Sequence, residues 1–126
     1  MSTDEKFSQD LSLKYTDFVK SRTKSPSEIT ASFSASKASL VHSILGISGE
    51  AGELLDSVKK AVIYNKELDI DNIVEELGDI EFYLEMLRQE LDLTREFIVI
   101  KNMSKLAKRY PTNYSDKDAV ERKDKQ

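Results

Sequence analysis

Hydrophobic positions recur along this chain at helical intervals. Phe7, Leu11, Tyr15, Phe18 and Val19 follow an i, i+4, i+8, i+11, i+12 pattern and predict a helix over about 4–22. Pro26 and a run of Ser and Thr make residues 21–34 read as a loop. A longer apolar stripe (Leu40, Ile47, Ala51, Leu54, Val58, Ala61) predicts a second helix over about 36–64. It breaks at Asn65-Lys66-Glu67-Leu68, after which Asp69 or Asp71 can cap a third helix over about 70–91. Asp92 and Thr94 suit a turn and cap before a fourth helix at about 95–109, which Pro111 ends. Phe97-Ile98-Val99-Ile100 alone resembles a short strand, and nothing else in the chain supports a sheet. Residues 112–126 are polar and charged, a tail expected to be loose unless it docks on a partner chain. The expectation is an all-α fold in one domain, residues 1–126.

Two acidic words interrupt these stripes. Glu50-Ala51-Gly52-Glu53 and Glu76-Leu77-Gly78-Asp79 each set two carboxylates three residues apart, within ~60° of one another on a helix. With Glu76 at zero and ~100° per residue, Ile73, Leu77, Ile80, Tyr83, Leu84, Leu87 and Leu91 lie on its side. Glu81 and Glu85 point the opposite way. Glu50 sits at the edge of the earlier stripe and Glu53 just outside it, on a flank with His42, Lys60 and Tyr64. None of the four carboxylates has a Lys or Arg at i±3 or i±4. Charges turned toward a core are costly unless paired or bound to metal. Four that meet would repel, and a divalent cation with oxygen ligands relieves that best. Either word alone would read as solvated helix surface. Two unpaired words on core-facing arcs point to a metal site.

Composition narrows the class. At 126 residues the chain has room for a modest core. A third of its residues are charged and the net charge is −4, so neither nucleic acid nor a membrane surface is an expected partner. No cysteine is present, which excludes disulfides and thiolate metal sites and suits a reducing compartment. No signal-peptide core or membrane-length apolar run is visible. A cytoplasmic protein is expected.

All four glycines, Gly46, Gly49, Gly52 and Gly78, lie in or beside the acidic words, inside helices where each costs ~1 kcal/mol relative to Ala. Such glycines either admit a neighbouring helix or leave room for a ligand. In the last predicted helix Asn102, Lys105 and Arg109 fall within ~60° of one another. Two cations and an amide on one stripe suit a triphosphate; they equally suit a solvated basic face near a helix C-terminus.

The spacing Glu-x-x-Glu, 22 residues, Glu-x-x-Asp resembles the signature of the all-α nucleoside triphosphate pyrophosphohydrolases, the MazG-like proteins and the related dimeric dUTPases and dCTPases. HSILGISGEAGEL (42–54), EELGDIEFYL (75–84) and NMSKLAKRYPTNYS (102–115) are similar to the short single-domain branch found in bacteria and their phages. The likeness covers about residues 40–115 and implies a four-helix-bundle-type fold. It departs at Gly49, where many members carry a further Glu.

The resemblance implies that Glu50, Glu53, Glu76 and Asp79 hold Mg²⁺ (Mn²⁺ as a substitute) and clamp a nucleoside triphosphate. Water would then cleave it between the α- and β-phosphates to a monophosphate and pyrophosphate, in nucleotide-pool clean-up or control. Glu50 or Glu53 would activate that water. Tyr83 would lie near sugar or base, although a core aromatic is the plainer reading of it. Asn102, Lys105 and Arg109 would meet phosphates or sugar, from the same or a second subunit, with Lys60 and His42 as further substrate contacts. A lone histidine on a helix flank is also an ordinary structural residue. The implied assembly is a homodimer or homotetramer. From a different class, a non-catalytic helical interaction or nucleotide-binding module would carry the same acidic words.

Overall fold

The computed structural model describes residues 1–126 and contains no strand. Its helices are α1 (Thr3–Arg22), α2 (Pro26–Ala31), α3 (Ala35–Ile63), α4 (Ile70–Glu90), α5 (Arg95–Arg109) and α6 (Asp116–Glu121), followed by a 3-10 turn, Lys123–Lys125. The chain is all-α, and the four long helices start and stop within a residue of the bounds expected from sequence. The segment Phe97–Ile100 is helical, inside α5.

Two expectations are corrected. The 21–34 stretch is not all loop: α2 forms behind Ser25 with Pro26 in its first turn, where a fixed φ and a missing N–H cost nothing. The tail is not all loose either. Ser115 accepts a hydrogen bond from the Asp118 N–H and starts α6, and the last turn is tied back to α5 by an ion pair described below.

The chain divides into two compact units, residues 1–34 and 35–126. In the first, α1 opens with a reciprocal capping box. The Ser2 N–H donates to Glu5 Oε2 at 2.6 Å, and the Glu5 N–H donates to Ser2 Oγ at 3.2 Å. In the second, α3 and α4 form an antiparallel hairpin, the most extensive helix packing in the chain. Ser36 is hydrogen-bonded to Glu90 at one end of the pair and Ser57 to Asn72 toward the other. Asp69, not Asp71, caps α4 by accepting from the Asn72 N–H at 3.0 Å. The hairpin's second arm ends at Asp92, whose φ of 52° is left-handed. The Leu93 N–H reaches back to the Arg88 carbonyl at 2.9 Å, closing the helix in a Schellman-type turn. Thr94 then caps α5 through the Phe97 N–H, and α5 packs on α6 and the final turn.

Within one chain no hydrophobic side chain is fully buried; the buried residues are Ser43 and Glu76. Val41, Ile44, Leu45, Leu55, Val62, Leu77 and Phe82 on the hairpin all stay exposed. No helix is long and apolar enough to cross a membrane.

Candidate metal and nucleotide site

The antiparallel register of α3 and α4 assembles the site. Along α3, Gly46, Glu50, Glu53, Ser57 and Lys60 follow one another at intervals of three or four and so share a stripe. Along α4, Asn72, Glu76, Asp79 and Tyr83 do the same. Laid antiparallel, the two stripes match rung by rung: Gly46 with Tyr83, Glu50 with Asp79, Glu53 with Glu76, Ser57 with Asn72. The outer rungs are visible contacts. A Cβ on Gly46 would overlap the Tyr83 ring, so glycine is what lets that ring lie against α3. Asn72 Nδ2 donates to Ser57 Oγ at 2.5 Å, and Ser57 Oγ donates in turn to the Glu53 carbonyl at 3.1 Å.

Between those rungs lie the carboxylates. Oxygens of Glu50, Glu76 and Asp79 all fall within 4.8 Å of one another, close enough for a single ion to bridge them. Glu76 is only 8 % exposed. Burial holds its carboxyl above the usual range; the neighbouring Glu53 charge, a hydrogen bond with Glu50 and the Asp79 charge push the same way. Glu53 is exposed and stands outside the three-residue cluster, although it faces Glu76 and lines the hollow above it. Three all-oxygen ligands drawn from two helices, one of them buried among like charges, fit a hard divalent cation. A fifth acidic residue nearby is already engaged: Asp56 pairs with Lys60 at 2.8 Å and Lys59 at 3.1 Å, which lowers its pKa.

The hollow over the carboxylates is an open trough of ≈ 410 Å³, lined by Gly49, Gly52, Glu53, Asp56, Ser57, Lys60, Asn72 and Glu76. Beyond their own helix backbone and chain neighbours, Gly49, Gly52 and Gly78 have nothing within 4 Å of where a Cβ would stand. The glycines therefore divide: Gly46 admits a ring, and the others border open space.

The remaining residues singled out from sequence are placed as follows. His42 meets the edge of Tyr83, ring centres 5.8 Å apart, and Phe82 meets it from another side at 5.2 Å. Lys60 lies on the trough. Asn102, Lys105 and Arg109 are on α5 and do not line it. Arg109 is committed elsewhere, with Nε and Nη2 donating to the two oxygens of Asp124 at 2.7 and 2.8 Å. Ser57 and Asn72 are not among the residues that the sequence singles out; their signal is the spacing itself, one turn after Glu53 and one turn before Glu76.

The family model described as the MazG nucleotide pyrophosphohydrolase domain matches residues 39–114. The chain belongs to the MazG family. That span runs from the start of the α3 stripe through α4 and α5, so the MazG domain holds every rung of the ladder. The Gene 37 protein of Mycobacterium phage L5 is 34% identical over 70 residues, covering 52% of this chain and 60% of the phage protein. The match thus spans less than two thirds of that relative. Comparison with solved structures found no match.

Proposed function

We propose that this MazG protein is a Mg²⁺-dependent nucleoside triphosphate pyrophosphohydrolase that releases a nucleoside monophosphate and pyrophosphate. The observation that carries the reading is the Glu50–Glu76–Asp79 cluster, three carboxylates within 4.8 Å of one another with Glu76 nearly out of solvent. An ion held there would supply charge neutralisation for the triphosphate and a more acidic water. Glu50, Glu76 and Asp79 are the residues to hold it. Glu53, outside that cluster and facing the trough, is suited to orient the attacking water and accept its proton. The Pα–O–Pβ linkage then breaks, and the electron pair leaves with pyrophosphate. Tyr83, seated in the Gly46 notch with His42 at its edge, is suited to stack on sugar or base.

The working unit is a homo-oligomer in this reading. Its support is the exposed apolar surface of α3 and α4 and the absence of any buried hydrophobic side chain in one chain, since a stable domain must cover such surface. Asn102 and Lys105, which do not line the trough within the chain, would reach a site across a subunit boundary. Sedimentation showing a monomer at micromolar concentration would sink this part.

The deciding experiment is a panel of canonical and modified dNTPs and NTPs with Mg²⁺, Mn²⁺ or EDTA. Pyrophosphate release with the matching monophosphate, lost in EDTA, is the expected outcome. Orthophosphate as the product would move the cleavage site, and no turnover by folded protein would favour a binding module.

A further inference from the structure

Helix α1 lies outside the span that matches the MazG domain, and the nucleotide site does not use its surface. Residues 4, 8, 11, 15, 18 and 22 follow one another in alternating steps of four and three, the spacing of a seam between two helices. Leu11, Tyr15 and Phe18 fill the middle of that seam with Phe7 and Val19 alongside, and all of them are exposed. The seam ends in opposite charges, Asp4 at one end and Arg22 at the other. Neither has an opposite side-chain charge at i±3 or i±4. Arg22 is turned onto the seam, its guanidinium 3.8 Å from the centre of the Phe18 ring. The ion pairs of the structure all lie elsewhere, between Asp56 and Asp124. The rest of the helix has the same polarity. Its first half, with Asp4, Glu5 and Asp10 against Lys6, is acidic by two charges; its second, with Lys14, Lys20 and Arg22 against Asp17, is basic by two.

We infer that α1 is a self-association helix, and that its partner is α1 of a second copy, paired antiparallel about a two-fold axis. In that arrangement Asp4 faces Arg22 of the second copy at both ends, Ser8 faces Phe18, and Leu11 faces Tyr15 across the middle. The apolar stripe is covered by its own image, as a two-fold contact requires. Arg22 keeps its place on Phe18 and gains a carboxylate for its remaining donors. Parallel pairing would set Asp4 against Asp4 and Arg22 against Arg22 and align the like halves, so charge selects against it. Antiparallel order also opposes the two helix dipoles. The Ser2–Glu5 capping box lets the helix form before it meets a partner. Two helices of this length are marginal as an isolated pair. Copies already joined through α3 and α4 hold their α1 helices at high effective concentration, which makes the second contact effective. This last step rests on the homo-oligomer reading above, and none of it requires the hydrolase chemistry.

The test is disulfide trapping in the full chain, which has no cysteine of its own. Asp4→Cys and Arg22→Cys variants are mixed in equal amounts in a glutathione redox buffer, and the cross-linked products are counted by intact mass. Random collision gives mixed and like products in about equal amounts, because exchange lets every pairing form. Antiparallel pairing should raise the mixed product to about ten to one. Leu11→Asp added to both variants puts a charge into the middle of the seam and should return the ratio to about one. Leu11 is exposed, so that variant will fold, and circular dichroism checks that the helices are kept. An excess of like products overturns the orientation, and an equal mixture without Leu11→Asp overturns the pairing. If sedimentation then shows an oligomer, the α3–α4 contact stands without α1; a monomer overturns both contacts. Pyrophosphate release from nucleoside triphosphates by the same chains is read separately, so the failure of α1 pairing leaves the proposed hydrolase untouched.

Discussion

The middle of the α3–α4 hairpin and the end of α5 handle charge in opposite ways. At the end of α5 each charge has its partner: Arg109 grips Asp124 with two hydrogen bonds, Arg109 is 16% exposed and the Asp124 side chain is fully buried. That pairing holds the Asp124 carboxyl down to about 2 and fastens the last turn to the helix. In the hairpin, Glu76 is almost as buried but faces Glu50, Glu53 and Asp79 without a cation of the chain among them. One region settles its charges by folding. The other is folded so that they stay unsettled, which requires the rest of the hairpin to hold them there. An arginine that looks like a phosphate ligand in sequence is an architectural residue within this chain, and a buried glutamate is the one left among like charges.

The comparison breaks most visibly on the unsettled side. Glu76→Gln keeps shape and removes the charge; it should lower kcat by about 10²- to 10³-fold, the scale of losing one electrostatic contributor at a reacting centre. In EDTA the same variant should unfold at a higher temperature than the wild type, because a like-charge conflict is gone. Simultaneous loss of activity and of metal-free stability would instead make Glu76 a structural residue.

Asp124→Asn attacks the settled side. It leaves Arg109 without its charged partner, so thermal unfolding should shift down by several degrees while turnover per folded molecule holds. The pH sign follows from a folded carboxyl at about 2 against an ordinary 3.8. Stability from this pair is present above pH 3.8 and is lost as pH falls toward 2. A variant that unfolds in acid just as the wild type does would show the pair to be inert.

Gly46→Ala forces the Tyr83 ring out of its notch. The expected cost is about 1–3 kcal/mol of stability by overpacking, together with a raised KM. In a Tyr83→Ala background the cost should largely vanish, and additivity of the two substitutions would separate the glycine from the ring. The smallest effect is a titration without metal. Glu76 carries a folded pKa raised above 4.5, so its contribution is favourable below that pH and is lost as pH rises through the folded value. In EDTA the wild type should therefore lose stability relative to Glu76→Gln on going from about pH 4 to 7, and Mg²⁺ should remove the difference.

Much of this was legible in the chain, for reasons that differ by region. The four long helices announce themselves by period, caps and Pro111, all local properties. The acidic words were legible because three-residue spacing on two helices survives any packing that turns both stripes inward. What was hidden depended on partners far away in sequence. Nothing near Arg109 reveals Asp124 fifteen residues on. Ser57 and Asn72 are ordinary polar residues until the antiparallel register places them opposite each other. Short helices such as α2 and α6 carry too little periodicity to stand out from polar surroundings, although Ser25-Pro26 and Ser115 were readable caps. Gly46 and Gly52 look alike in sequence, and only the position of Tyr83 tells them apart.

The ladder has a consequence for how this sequence can change in length. Its rungs are a phase relation between two helices, and one residue inserted or removed turns everything beyond it by ~100°. A deletion between Glu53 and Ser57 would swing Ser57 and Lys60 off the site while leaving every side chain in the chain's repertoire. The same deletion in residues 64–69, the connection outside both helices, disturbs no phase at all. Length variation should therefore gather in that connection, and the helices should accept changes of letter far more readily than changes of count.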